Sequence, residues 1–266
     1  MSVAFYLSCH AEARRNKNYK VVKGDATNGK CLVCFSSNAI FYPHTDEGLR
    51  DLLVSDYYEW ERLVDKTKFE KILFFRDVYK QWYINGISER VTSVEALGDL
   101  IKHLTFGLDS TFVGSSAGGY AAVMFGDICS AKKIFSFSGQ FNLSREASME
   151  KNPILASFYN HSFDYSAVNK EVFYFYPAYS EDDIIQAKSV EGNSQVIAVK
   201  VNDNRHGVPI LPFSLKKMLL LELKDIKRLS EKKHSKLFIS MKFITWRDLF
   251  TFSHRRMQKL IRVIRG

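Results

Sequence analysis

Cysteine is scarce in this chain of 266 residues: four in all, at 9, 31, 34 and 129. They are too few and too irregularly spaced for the disulfide framework of a secreted domain. Cys31 and Cys34 form a CxxC pair, but it lies within "KCLVCF", which reads as a strand interior. Residues three apart on a strand point to opposite faces, which argues against a redox or zinc role for the pair. Long apolar runs are also missing, since none reaches the ~18 residues needed to span a bilayer. There is no low-complexity tract, no internal repeat and no cluster with metal-ligand spacing. No metal or cofactor is therefore expected. The opening "MSVAFYLSCHAEARR" places no positive charge ahead of its short apolar stretch, unlike a signal peptide. The expectation is a cytoplasmic chain, soluble or peripheral at the inner face of a membrane.

What is present suits a globular enzyme. Hydrophobic residues make up 46% and charged residues 25%, enough to bury one large core or two small ones. Acidic residues are scarce in one region only. From 214 to 266 there are nine Lys and six Arg against two Glu and two Asp, a net +11, so residues 1–213 carry −2 of the overall +9. The basic character belongs to the C-terminal segment. A slightly acidic body and the lack of a recognised module argue against nucleic acid as a partner.

Strand-like runs recur along the body: "VAFYL" (3–7), "KVV" (20–22), "CLVCF" (31–35), "KILFF" (71–75), "TFV" (111–113), "KIFSF" (133–137), "EVFYFY" (171–176) and "QVIAVKV" (195–201). Several are continuously apolar, as in strands covered on both faces. Helix-compatible segments lie between them: "DEGLRDLLVSDYYEWERLVD", "SVEALGDLIKHL", "SAGGYAAVMFG" and "EDDIIQAKSV". This alternation predicts an α/β architecture, a mostly parallel central sheet with helices on both faces. The expected division is a body over 1–213 and a basic helical segment over 214–266. The stretch 139–170 has no steady period and sits between two strands, so it reads either as a lid or as one short helix with irregular flanks.

The segment carrying chemistry is "FVGSSAGGYAAVMFG", 112–126. Gly114-Ser115-Ser116-Ala117-Gly118 matches G-x-S-x-G, follows a strand directly and opens into a helix of small residues. That setting exposes Ser116 as a nucleophile and offers the Ala117 N–H as an oxyanion donor. The segment resembles the nucleophile elbow of the α/β-hydrolase superfamily.

The resemblance implies a triad in the chain order Ser, acid, His. After "EVFYFY" come Asp182 and Asp183; after "QVIAVKV" comes His206 in "NDNRHGVP". Among seven histidines, His206 alone follows the last of these strands without charge-run neighbours. Asp183 is favoured as the acid over Asp182, with Glu181 behind both. The resemblance also implies a second oxyanion donor in the loop after "CLVCF", from Ser36 or Ser37. That loop lacks the HGGG motif of many lipases, and a turn without catalytic role is the alternative there.

"FRDVYKQWYING", 75–86, follows the next strand, and Asp77, Trp82 and Tyr83 suit either a polar ring of a substrate or the packing of a loop. Together these motifs resemble compact bacterial α/β-hydrolases associated with surface-polysaccharide biosynthesis. That implies a small-molecule or glycan ester as substrate, with an acyl-enzyme passed to water. Transfer to a sugar hydroxyl, or a silent binding member of the fold, are the alternatives. In the basic segment Phe243, Trp246, Leu249, Phe250, Met257, Leu260, Ile261 and Ile264 fall close to helical spacing. Such a helix suits an anionic membrane surface, a partner, or the protein's own body.

Overall fold

The structure is a computed structural model that describes residues 13–41, 45–144, 163–208, 212–230 and 234–235. Strands β1 (Tyr19–Lys23), β2 (Lys30–Phe35), β3 (Lys71–Phe75), β4 (Asp109–Ser115), β5 (Lys133–Phe137), β6 (Val172–Pro177), β7 (Val196–Asn202) and β8 (His234–Ser235) form one sheet. Its order is β1-β3-β2-β4-β5-β6-β7-β8. Every pairing is parallel except β1 with β3. The helices are α1 (Asp46–Ser55), α2 (Val94–Thr105), α3 (Ala117–Ile128), α4 (Glu181–Ser189), α5 (Pro212–Met218) and α6 (Leu223–Ser230).

Period-two alternation along the strands divides the core into two layers. On β2, Cys31, Val33 and Phe35 enter one layer, with Leu97 and Ile101 of α2 and Phe125 of α3. Leu32 and Cys34 enter the other, with Tyr58, Trp60, Met218 and Ile226. The CxxC thiols thus face opposite layers, and both cysteines are free. Burial pushes the Cys31 thiol up to about 12 and Cys34 well above its ordinary value. Each large side chain fully buried this way stabilises the fold by about 1.5–3 kcal/mol relative to exposure.

Two boundaries differ from expectation. The helix expected over 46–65 ends at Ser55, where Asp56 adopts a left-handed conformation (φ 46°) and its N–H bonds the Leu53 carbonyl. The aromatic residues beyond fit a helical period but serve another purpose, with the Trp60 Nε1–H donating to the Phe35 carbonyl at 2.7 Å. In the basic segment, Leu215, Met218, Leu219 and Ile226 are buried beneath the sheet, and β8 pairs with β7. The charge changes sign near 213, but the packing continues to 235. The strand expected at 3–7, the middle of the 139–170 stretch (145–162) and the helix expected over 243–264 lie outside the described residues.

Candidate active site

Ser116 stands between β4 and α3 with φ 53° and ψ −121°, a conformation an L-residue holds only under constraint from its surroundings. The constraint is close packing. A Cβ on Gly114 would lie 2.0 Å from the Gly118 carbonyl oxygen, and one on Gly118 would lie 2.3 Å from that of Phe35. The Ser116 N–H donates to the Phe137 carbonyl at 2.9 Å, fixing the turn to β5. Ala117 opens α3, so no carbonyl within the helix can accept its N–H.

Asp183 lies in the first turn of α4, capped by Ser180, whose Oγ accepts from the Asp183 N–H. Asp183 is 1% exposed, and both carboxylate oxygens reach His206 Nδ1, at 3.0 and 3.1 Å. Asp182 and Glu181 point outward and are exposed. The His206 loop is shaped by Asp203, whose Oδ1 accepts from the Asn204 and Arg205 N–H groups. The loop is also tied to the end of β5. Ser138 Oγ donates to the Gly207 carbonyl at 2.9 Å and accepts from the Gly207 N–H at 3.2 Å.

Two residues beyond Ser138, Gln140 completes the junction. Its Oε1 accepts from Ser116 Oγ at 3.0 Å and from Trp82 Nε1 at 3.1 Å. The Ser116 hydroxyl is therefore turned to Gln140 and not to the imidazole. Neither Gln140 nor Ser138 carries a motif in the sequence: Gln140 lies in the stretch without period, and Ser138 is the single residue between that stretch and β5. Their position was the available signal: they follow β5, the strand beside the elbow, on the edge that carries Ser116.

The remaining candidates divide by what their polar atoms touch. Asp77 is buried and accepts N–H bonds from Tyr79 on Oδ1 and from Gln81 and Tyr83 on Oδ2. Burial pushes its carboxyl up to about 6, against the pull of those N–H groups. It thereby holds a loop in which Lys80, Trp82 and Tyr83 all have positive φ. Tyr83 is fully buried, and its hydroxyl has the carbonyls of Ser36 and Phe75 within donating distance of its one proton, at 2.9 and 3.1 Å. Of the three, Trp82 shares a hydrogen-bond partner, Gln140, with Ser116.

The Ser36 N–H donates to the Phe75 carbonyl, and the Ser37 N–H donates to Glu59 Oε2. Glu59 Oε1 in turn accepts from Ser115 Oγ at 3.4 Å, beside the elbow, and burial raises its carboxyl above the ordinary range. Glu59 is thus a third residue the sequence reading did not find, because it lies in the span expected to be helix. Among the described residues no group of His, Cys, Asp and Glu is arranged to hold a metal ion.

A mostly parallel sheet with a positive-φ serine at a strand-to-helix turn defines the α/β-hydrolase fold, and the chain has that fold. Among solved structures it is similar to the capsule O-acetyltransferase of Neisseria meningitidis serogroup A. The two share 13% identity over 71% of this chain and 85% of that one, with a TM-score of 0.50. Alpha/beta hydrolase domain-containing protein 10 from mouse matches at 14% identity, over 80% and 90%, with a TM-score of 0.40. An esterase domain from Rhodothermus marinus matches at 10% identity, over 80% and 95%, with a TM-score of 0.41. No family model and no curated protein matches the sequence.

Proposed function

We propose that the chain is a serine hydrolase of an ester or acyl group, working through Ser116, His206 and Asp183. The observation that carries this reading is the buried Asp183 carboxylate on His206 Nδ1, on the sheet edge where Ser116 is held at the elbow. With Nδ1–H donating to Asp183, Nε2 is left as the base. On substrate binding the Ser116 hydroxyl rotates from Gln140 towards that nitrogen and loses its proton to it. Its Oγ then attacks the acyl carbon. The Ala117 N–H stabilises the oxyanion, and His206 returns the proton to the leaving oxygen. Water, activated by the same imidazole, then releases the acyl group. The Ser37 N–H becomes a second donor to the oxyanion where the Glu59 carboxylate gives it up. Trp82 flanks the substrate beside Gln140, while Asp77 and Tyr83 shape its loop.

A second reading, acyl transfer to a sugar hydroxyl, uses the same steps with the acceptor in place of water. The likeness to a capsule O-acetyltransferase favours it, and a glycan on the bacterial surface or its precursor is the acceptor it suggests. A fluorophosphonate probe tests the shared machinery. Wild-type protein is expected to be labelled at Ser116, and Ser116→Ala to lose both labelling and short-chain ester turnover while staying folded. Folded wild-type protein that resists labelling removes the enzyme reading. Turnover of an acyl thioester with and without sugar then separates the two acceptors.

A further inference from the structure

At the outer end of the same sheet edge lies a cavity of about 560 Å³. Its position follows from register: β1 runs antiparallel to β3 with Tyr19 opposite Phe75, so residues 14–18 sit at the carboxyl end of β3. Four cations line it, Arg14, Arg15, Lys17 and Arg90, against one acid, Glu89. Arg15, Lys17 and Arg90 make no ion pair among the described residues.

The cleft is built rigidly. Asn18 is 1% exposed and held at φ 54°. Its Nδ2 donates to the Ala13 carbonyl at 2.9 Å and to the Ile87 carbonyl at 2.7 Å, joining the two walls. Its Oδ1 accepts from Arg76 Nε at 3.2 Å, and the Glu89 N–H donates to the Arg14 carbonyl at 2.9 Å. The backbone is therefore fixed before any ligand arrives, and four cations against one acid leave the lining with an excess of positive charge that favours an anion. Guanidinium groups match phosphate oxygens in bidentate fashion, and the volume lies in the range of small-ligand pockets. Arg15, Lys17 and Arg90 are solvent-exposed, and they border a concave wall shared with the half-buried side chains of Tyr19 and Leu100.

We propose that this cleft is an anion subsite for a phosphate-bearing ligand whose other end reaches Ser116. In the strand order β1-β3-β2-β4, the cleft and the elbow stand three interstrand spacings apart, about 14 Å. An extended acyl donor or a short glycan covers that span. The connection to Ser116 rests on the serine chemistry proposed above; the binding of phosphate does not.

Pyrophosphate is the probe, titrated calorimetrically into the full chain at low salt. Saturable binding at one site is expected. The double variant Arg15→Ala/Arg90→Ala should weaken it by about tenfold or more, because charge-assisted bonds are lost. Lys66→Ala/Lys68→Ala makes the same charge change at the opposite edge and should alter it by less than about twofold. Glu89→Gln, which removes the opposing carboxylate, should tighten it. No saturable heat, or equal weakening by both double variants, overturns the subsite. If the arginine variant does not fold, Glu89→Gln decides: tighter binding supports the proposal and unchanged binding overturns it.

In Ser116→Ala protein, displacement of pyrophosphate by acetyl-coenzyme A assigns the subsite to an acyl donor. Displacement by glucose 6-phosphate assigns it to an acceptor sugar, and displacement by neither overturns the link to Ser116. None of these measurements needs turnover, so a chain inert at Ser116 would still show the phosphate binding.

Discussion

At the scale of single residues, the two neighbouring aspartates after β6 have opposite environments. Asp183 turns inward beneath the His206 ring, while Asp182 one position earlier faces solvent. Under the proposed chemistry, Asp183→Asn is expected to lower kcat by about 10⁴, since the imidazolium loses its buried partner and the ring its tautomer. Asp182→Asn should leave kcat nearly unchanged. Steady-state kinetics on a short-chain ester check both, and the reverse order would move the acid to Asp182. The sequence favoured Asp183 only by its place at a helix start. Side-chain direction in the first turn decides between them, and that depends on where α4 packs. Gln140 shows the limit of such reading. An amide in an irregular stretch carries no period and no motif, yet its one oxygen joins the nucleophile to Trp82.

Elements were legible where one pattern explained every residue in them. The strand read over 71–75 appears as Lys71–Phe75, and the helix read over 93–104 appears as α2, with Ser93 as its cap. The overshoot beyond Ser55 came from a segment rich in apolar residues and free of Gly and Pro, whose Tyr58 and Trp60 find their partners across the fold on β3 and β2. The loop 77–83 was legible as an edge loop but not as a strained one, because its conformation is imposed by the Asp77 carboxylate. An Asn there has one acceptor oxygen where donors face both Oδ1 and Oδ2. Asp77→Asn is therefore expected to destabilise by about 1–3 kcal/mol. It should also change the pH dependence. Burial raises the Asp77 carboxyl from 3.8 to about 6 in the folded state, so the folded chain binds this proton more tightly than the unfolded one. The stability it contributes is complete below the unfolded value and is lost as pH rises through about 6. Thermal unfolding of the two proteins between about pH 4 and 7 should show this fall in the wild type and not in the variant.

At the scale of the molecule, charge and packing divide the chain at different places. α5, α6 and β8 belong to the sheet's cover and edge, and of the +11 carried by 214–266, +7 falls in residues 236–266. Removing that part is expected to abolish pelleting with anionic vesicles at low salt while preserving ester turnover. Binding by the full chain should weaken as salt passes physiological strength, where the Debye length falls below about 8 Å. Equal pelleting of both proteins would assign the attraction to the body. Among the described residues no helix is long and apolar enough to cross a membrane.

The two thiols of β2 make this sheet a partition with a reporter on each side. Cys31 is covered by the long helices α2 and α3, and Cys34 by the irregular 58–69 segment and the short helices α5 and α6. Neither thiol meets a reagent until its own side opens, so each times one wall of the same strand. In proteins retaining only one of the two, Cys34 is expected to react faster than Cys31 under native conditions. Identical rates would mean that both walls come down together.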